Sequence, residues 1–220
     1  MRFGAPAPAA AGLACLTVIV ANTAHAKDEA FVSTTIVNET VESTTMTFDF
    51  EAPVYKNVHI GADAWTTIHL GNESVTACAG EPGLPDVRRS VMIGDDALVD
   101  ARFLTGTYRD IEGVKVAPSK GLISRTVNPA DVPYEFGEVY ASDEFWPAAL
   151  VEIGEPYVMR NVRGVVIDMN PIQWNPVTQT LRVWSSMTVE VVQTGMTDHN
   201  IITQRDKLTH SDNAAWETLY

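Results

Sequence analysis

From Thr44 to Glu51 apolar and polar residues alternate without a break, placing Met46, Phe48 and Phe50 on one side and threonine or aspartate on the other. A period of two is that of a strand with one buried face. Val54 to Ile60 and Trp65 to Leu70 read as further strands separated by Gly61-Ala62-Asp63, with Trp65 as a core residue. The turn-rich Glu81-Pro82-Gly83-Leu84-Pro85 leads into a strand around Arg88 to Ile93. Ala97 to Tyr108 carries a short helical pattern, but Val99, Phe103 and Tyr108 favour strand. Val165, Ile167 and Met169 share one face of a later strand. After the connection Asn175-Pro176-Val177-Thr178, Leu181 with Val183, then Met187, Val189 and Val191, line the last two. No interior segment sustains a capped helical period. The expected fold is all-β, an antiparallel β-sandwich.

Two stretches break the pattern. Ser119 to Pro147 is loop-rich, with Pro129, Pro133 and Pro147 preventing long regular elements. A loop of that length in a compact domain is usually functional or disordered. From Thr194 to Tyr220 the alternation gives way to a polar linker with one short helix near Ala214. At the other end, Arg2, the apolar run Ala9 to Val20 and Ala24-His25-Ala26 have the order of a secretory signal, so residues 1–26 are expected to be removed before Lys27. A membrane anchor would need a longer apolar run, and the residues before Cys15 do not suit a lipoprotein. The expected division is a signal over 1–26, a β-domain over 27–193 and a linker over 194–220. The expected location is outside the cytoplasm (secreted, periplasmic or cell-surface), with no membrane insertion once the signal is gone.

Charge and cysteine narrow the function. The formal net charge of −13 argues against nucleic acid and anionic membranes as partners. Of the two cysteines only Cys78 lies beyond the signal, so the exported chain has no internal disulfide to form. As a nucleophile Cys78 would need an imidazole partner from His59, His69, His199 or His210, in an electropositive pocket. Glu73 and Glu81 flank it instead, and a partly buried structural cysteine is the expectation. His59 and His69 match no compact zinc spacing, and Asp95, Asp96 and Asp100 lack the alternating oxygen ligands of a calcium loop. No catalytic residues, cofactor or metal are expected. The five tryptophans raise a competing reading, a carbohydrate- or surface-protein-binding adhesion module, with Trp174 and Trp184 across a hairpin.

The most specific wording lies in the second half. Ala117-Pro118-Ser119-Lys120-Gly121 is followed by Val132-Pro133-Tyr134-Glu135-Phe136-Gly137, then Arg160-Asn161-Val162-Arg163-Gly164, then Asn175-Pro176-Val177-Thr178. In that order and at those separations the pieces resemble the N-terminal propeptide of gingipain-type cysteine peptidases. Upstream, Gly83-Leu84-Pro85 echoes the family weakly. The resemblance implies a β-sandwich that inhibits, and helps to fold, a secreted gingipain-like cysteine endopeptidase by covering its active-site cleft. The partner it implies is the cognate catalytic domain, which is not within this chain. The chain is then either the N-terminal piece of a precursor or a free-standing inhibitor.

In such propeptides a loop presents a basic side chain to the pocket for the residue before the scissile bond. The position that looks equivalent is Arg125, flanked by Ser124 and Thr126, with Lys120 its nearest competitor. A guanidinium fork can meet a pocket carboxylate with paired hydrogen bonds. Truncating one partner of such a buried contact costs about 2–5 kcal/mol. Arg125 would suit an arginine-preferring peptidase, with lysine preference left open. Tyr134, Phe136 and Trp146 either anchor the contact with the catalytic domain or pin the loop to its own domain. Arg160 and Arg163, in a strand-like stretch, are expected to pair structurally or at an interface.

Overall fold

The computed structural model describes residues 31–203. The expected signal, His210, Trp216 and most of the expected linker lie outside that range. The first hairpin joins β1 (Val32–Glu39) to β2 (Ser43–Phe50). A second joins β3 (Val54–Ile60) to β4 (Asp63–His69) through Gly61, whose φ of 63° lies in the left-handed region that glycine enters freely. Then come β5 (Ser74–Val75), β6 (Pro85–Met92) and the long β7 (Ala97–Ile111). After the loop-rich stretch follow β8 (Val151–Ile153), β9 (Tyr157–Met159), β10 (Val162–Met169), β11 (Ile172–Asn175) and β12 (Thr180–Met196). The chain is all-β with antiparallel sheets, as the alternation predicts.

One sheet centres on β12, with β2 and β11 along one side of it, β7 along the other, and β1 outside β2. The other runs β5-β6-β10-β8, with β9 beside β8 on β10. Their apolar faces share one cluster: Met46, Phe48 and Met187 from the first sheet meet Val87, Val165 and Ile167 from the second. Removal of such faces from water is the main term holding the layers together, at roughly 25 cal/mol per Å² of apolar surface. A smaller second cluster, including Ile68, Leu84, Val116, Trp174 and Leu181, lies where β4, β11 and the start of β12 meet the chain leaving β7. That second cluster is the floor beneath the long loop.

Four expectations need correction. Leu181 to Val191 is one strand rather than two. Ser185 is an extra residue in the pairing with β7, since Trp184 faces Tyr108 and Ser186 faces Thr107. A bulge of this kind flips the side chains that follow it. Leu181 and Val183 therefore feed the second cluster, while Met187, Val189 and Val191 feed the first. Trp65 is half-buried at the margin of the second cluster rather than core. Trp174 and Trp184 are 2% and 7% exposed, and each spends its indole N–H inside the domain, so they form no platform for a sugar. Cys78 is exposed, because the segment carrying it binds the domain through its backbone.

The chain after β12 is not free of the domain. The buried Arg163 donates to the carbonyls of Gly94 and Ala97 at 2.9 and 2.7 Å. It also donates to those of Asn200 and His199 at 2.7 and 3.2 Å. The amides of Thr197 and Ile202 donate to the Asp96 and Asp95 carbonyls. Arg163 thus pairs structurally, with carbonyls rather than a carboxylate. Among the described residues no helix is long and apolar enough to cross a membrane.

Candidate functional site: a braced surface loop

The chain leaving β7 is stitched to β4, where Thr66 donates to Lys115 and accepts from Ala117 at 2.7 and 2.8 Å. Val116, Ala117 and Pro118 are buried there, so the loop starts from a fixed point. Ser119 is the next fixed point. Its amide donates to the Glu81 carbonyl at 2.7 Å, its carbonyl accepts from Gly80 at 3.0 Å, and its Oγ donates to the Thr76 carbonyl at 2.6 Å. The Gly121 amide donates back to that Oγ at 3.0 Å. Eighteen residues after Ser119 the chain returns to the same place, where Gly137 donates to the Gly80 carbonyl at 2.8 Å. Both necks of the loop are therefore held by the Thr76–Glu81 segment. A Cβ on Gly137 would stand 2.9 Å from the Gly80 oxygen, so only glycine permits this crossing.

At the outer end Val127 donates to the Ser124 carbonyl at 3.0 Å, and the Ser124 and Thr126 hydroxyls hydrogen-bond at 3.0 Å. This closes a four-residue turn with the exposed Arg125 at its second position. Among the described residues Arg125 makes no ion pair. Lys120 is committed elsewhere: Nζ donates to the Pro129 carbonyl at 2.7 Å and lies 4.3 Å from the centre of the Tyr134 ring. Asn128 caps the 3-10 turn Pro129–Asp131 by accepting from the Ala130 amide.

The returning limb is fixed by aromatic contacts. Phe136 packs against Trp65 and Tyr140 at ring-centre distances of 4.8 and 4.9 Å, and Tyr140 meets Trp174 at 5.2 Å. Tyr140 donates to the Val116 carbonyl at 3.0 Å, and burial raises its phenol pKa above the ordinary value. Trp65, Phe136, Tyr140 and Trp174 surround an open hollow of about 360 Å³ with Lys115 at its rim. Trp146 exchanges both backbone hydrogen bonds with Trp174, and Phe145 stacks on the Arg182 guanidinium. Phe136 and Trp146 thus hold the loop to its own domain, Tyr134 meets Lys120 within the loop, and Phe136 keeps 45% of its surface open.

Sequence reasoning passed over Leu122. It is 90% exposed, three residues before Arg125, with the 44%-exposed Val127 on the far side of the turn. A signal existed in the sequence, since an apolar pair flanks a turn otherwise made of polar residues. The outer end of the loop therefore offers one unpaired guanidinium between two open aliphatic side chains. Such a surface can dock and occlude, but it holds no group placed to break a bond. Cys78 stands on the neck segment, His59 and His69 on β3 and β4, and His199 pairs with Glu155 at 3.4 Å. No group of three potential metal ligands is present among the described residues.

The features in hand are an antiparallel all-β domain and a surface loop tied down at both necks, with an exposed arginine in its outer turn. The chain belongs to the Propeptide_C25 family, which matches residues 27–218, and it is a gingipain propeptide domain. It is 36% identical over 123 residues to Gingipain R2 of Porphyromonas gingivalis, covering 56% of this chain and 17% of that protein. To Lys-gingipain of the same organism it is 24% identical over 178 residues, covering 78% of this chain and 10% of that protein. The chain thus spans about a sixth or less of these curated relatives, and what matches is the propeptide region. Among solved structures it resembles the complex of Porphyromonas gingivalis RgpB pro- and mature domains. The TM-score is 0.77 at 24% identity, over 85% of this chain and 96% of that one. A structure addressing the zymogenic latency of gingipain K superposes with a TM-score of 0.63 at 22% identity, over 81% and 98%. These two likenesses carry the fold.

Proposed function

We propose that this domain inhibits a gingipain-like cysteine peptidase by laying its loop over the active-site cleft, with Arg125 entering the pocket for the residue before the scissile bond. The observation that carries the reading is the turn Ser124–Val127, which holds an exposed and unpaired Arg125 at the tip of a loop tied down at both necks. Lys120, the competitor for the pocket, already has its ammonium engaged inside the loop. Membership of the propeptide family supports a catalytic domain as the partner. Leu122 and Val127 supply apolar contact beside the plug.

Help with folding follows from the same contact, because a ligand of the folded state alone stabilises it by mass action. The signal-like order of the first 26 residues supports export, placing this contact outside the cytoplasm. The reading is tested by competition. The chain is titrated against the catalytic domain of Gingipain R2 with and without a saturating arginine-mimicking active-site ligand such as benzamidine. Loss of apparent affinity in proportion to ligand occupancy supports the pocket contact. Binding indifferent to the ligand moves the contact away from the pocket and sinks the plug.

A further inference from the structure

The braces inside the loop are as specific as its tip. Between Ser119 and Gly137 the chain makes a wide excursion that lies outside both sheets. Left to itself a segment of that length samples many conformations, and ordering it on binding would weaken association. One side chain crosses the excursion. Lys120 starts beside the first neck, reaches the Pro129 carbonyl in the middle, and lies over Tyr134 on the returning limb. Three separate points of the loop are thus joined through one ammonium, and the turn carrying Arg125 is spanned by that bridge.

We propose that Lys120 is a positioning residue: it holds the loop in one conformation, and so fixes where Arg125 stands before any partner arrives. The proposal rests on the inhibitory reading of the loop for its purpose, but not for its geometry. Kinetically, a loop competent only part of the time binds with an affinity reduced by that fraction. The loss appears in the association rate, because the bound contacts are unchanged. A lysine that entered the partner's pocket would act through dissociation instead.

The test compares the full chain with its Lys120→Met and Lys120→Arg variants. Free in solution, each is exposed to a low concentration of trypsin, and cleavage after Arg125 is followed by mass spectrometry. Lys120→Met is expected to raise that rate about tenfold with the urea midpoint unchanged, taking the open fraction to rise from about a tenth to about nine-tenths and the competent fraction to fall to about a tenth. Lys120→Arg, which keeps the charge and the ring contact, restores slow cleavage. With the Gingipain R2 catalytic domain, Lys120→Met slows association by a similar factor and leaves dissociation alone. Unchanged cleavage after Arg125 in Lys120→Met overturns the brace, whatever happens to inhibition. Arg125→Ala run alongside separates the two ideas: intact inhibition there removes the plug, while accelerated cleavage in Lys120→Met still establishes the brace.

Discussion

Arg163 gives the sharpest quantitative test of how the domain is closed. It is 1% exposed, and its guanidinium serves four carbonyls, two in the turn before β7 and two in the chain after β12. Burial pulls its pKa below the ordinary arginine value, with Asp96 and Asp95 pulling it back. In Arg163→Met the carbonyls of His199 and Asn200 can swing out to water. Those of Gly94 and Ala97 stay inside and lose a charged donor each, at about 1.5–3 kcal/mol apiece. Relief from burying a charge offsets part of that sum, so the net loss is about 2–5 kcal/mol. For a domain of this size the melting temperature should fall by about 4–20 °C. Urea unfolding of the chain and the variant at neutral pH measures the difference, and an unchanged slope would show that the unfolded states are alike. Hydrogen exchange at the Ile202 amide, which donates to the Asp95 carbonyl, reports the local event. A loss below about 1 kcal/mol with Ile202 still protected would refute the reasoning, because those carbonyls would then have other partners.

Three further outcomes are expected. Leu122→Ser should leave the urea midpoint unchanged, since the side chain is 90% exposed, yet weaken inhibition about 30-fold, the equivalent of about 2 kcal/mol for burying a leucine. Unaltered inhibition would remove Leu122 from the contact. Gly106→Ala places a Cβ against the Ser186 carbonyl oxygen and 2.9 Å from the Trp184 ring, and chemical denaturation should show a loss of about 1–3 kcal/mol. The pH profile of stability should carry two opposed contributions. The hydrogen bond from Arg182 holds the Asp110 pKa down, so its contribution is present above the unfolded value near 4 and is lost as pH falls below it. Burial raises the Asp168 pKa against the pull of Arg88, so its contribution is present below about pH 4 and is lost as pH rises through the folded value. Asp110→Asn should flatten the acid side and Asp168→Asn should remove the fall above it; profiles parallel to the parent's would contradict both assignments.

How much of this was legible in the chain depended on whether one face was buried. β2 announced itself because Met46, Phe48 and Phe50 all enter the core while their neighbours stay out. β1 gives no signal, because as an edge strand it is exposed on both faces beyond Thr34 and shows no apolar period. Leu181 to Val191 reads as two strands, but pairing with β7 absorbs Ser185 as a bulge that moves one continuous strand from one cluster to the other. That event depends on the partner strand and leaves no local mark. At the site, Arg125 stood out through its surrounding wording. The work of Lys120 did not, since Pro129 and Tyr134 come to it only when the loop is folded. Cys78 is exposed for a similar reason: its segment is held through backbone hydrogen bonds exchanged with Ser119 and accepted from Gly137, partners that local sequence does not reveal.

On the proposed reading a loop arginine silences a cysteine peptidase by filling its pocket. The most direct measurement is the inhibition constant of the chain and of Arg125→Ala against the Gingipain R2 catalytic domain under identical conditions. The account predicts tight inhibition by the chain and a loss of about 30-fold to several thousandfold in the variant, the range set by truncating one partner of a buried charged contact. Equal inhibition by the two proteins would contradict it.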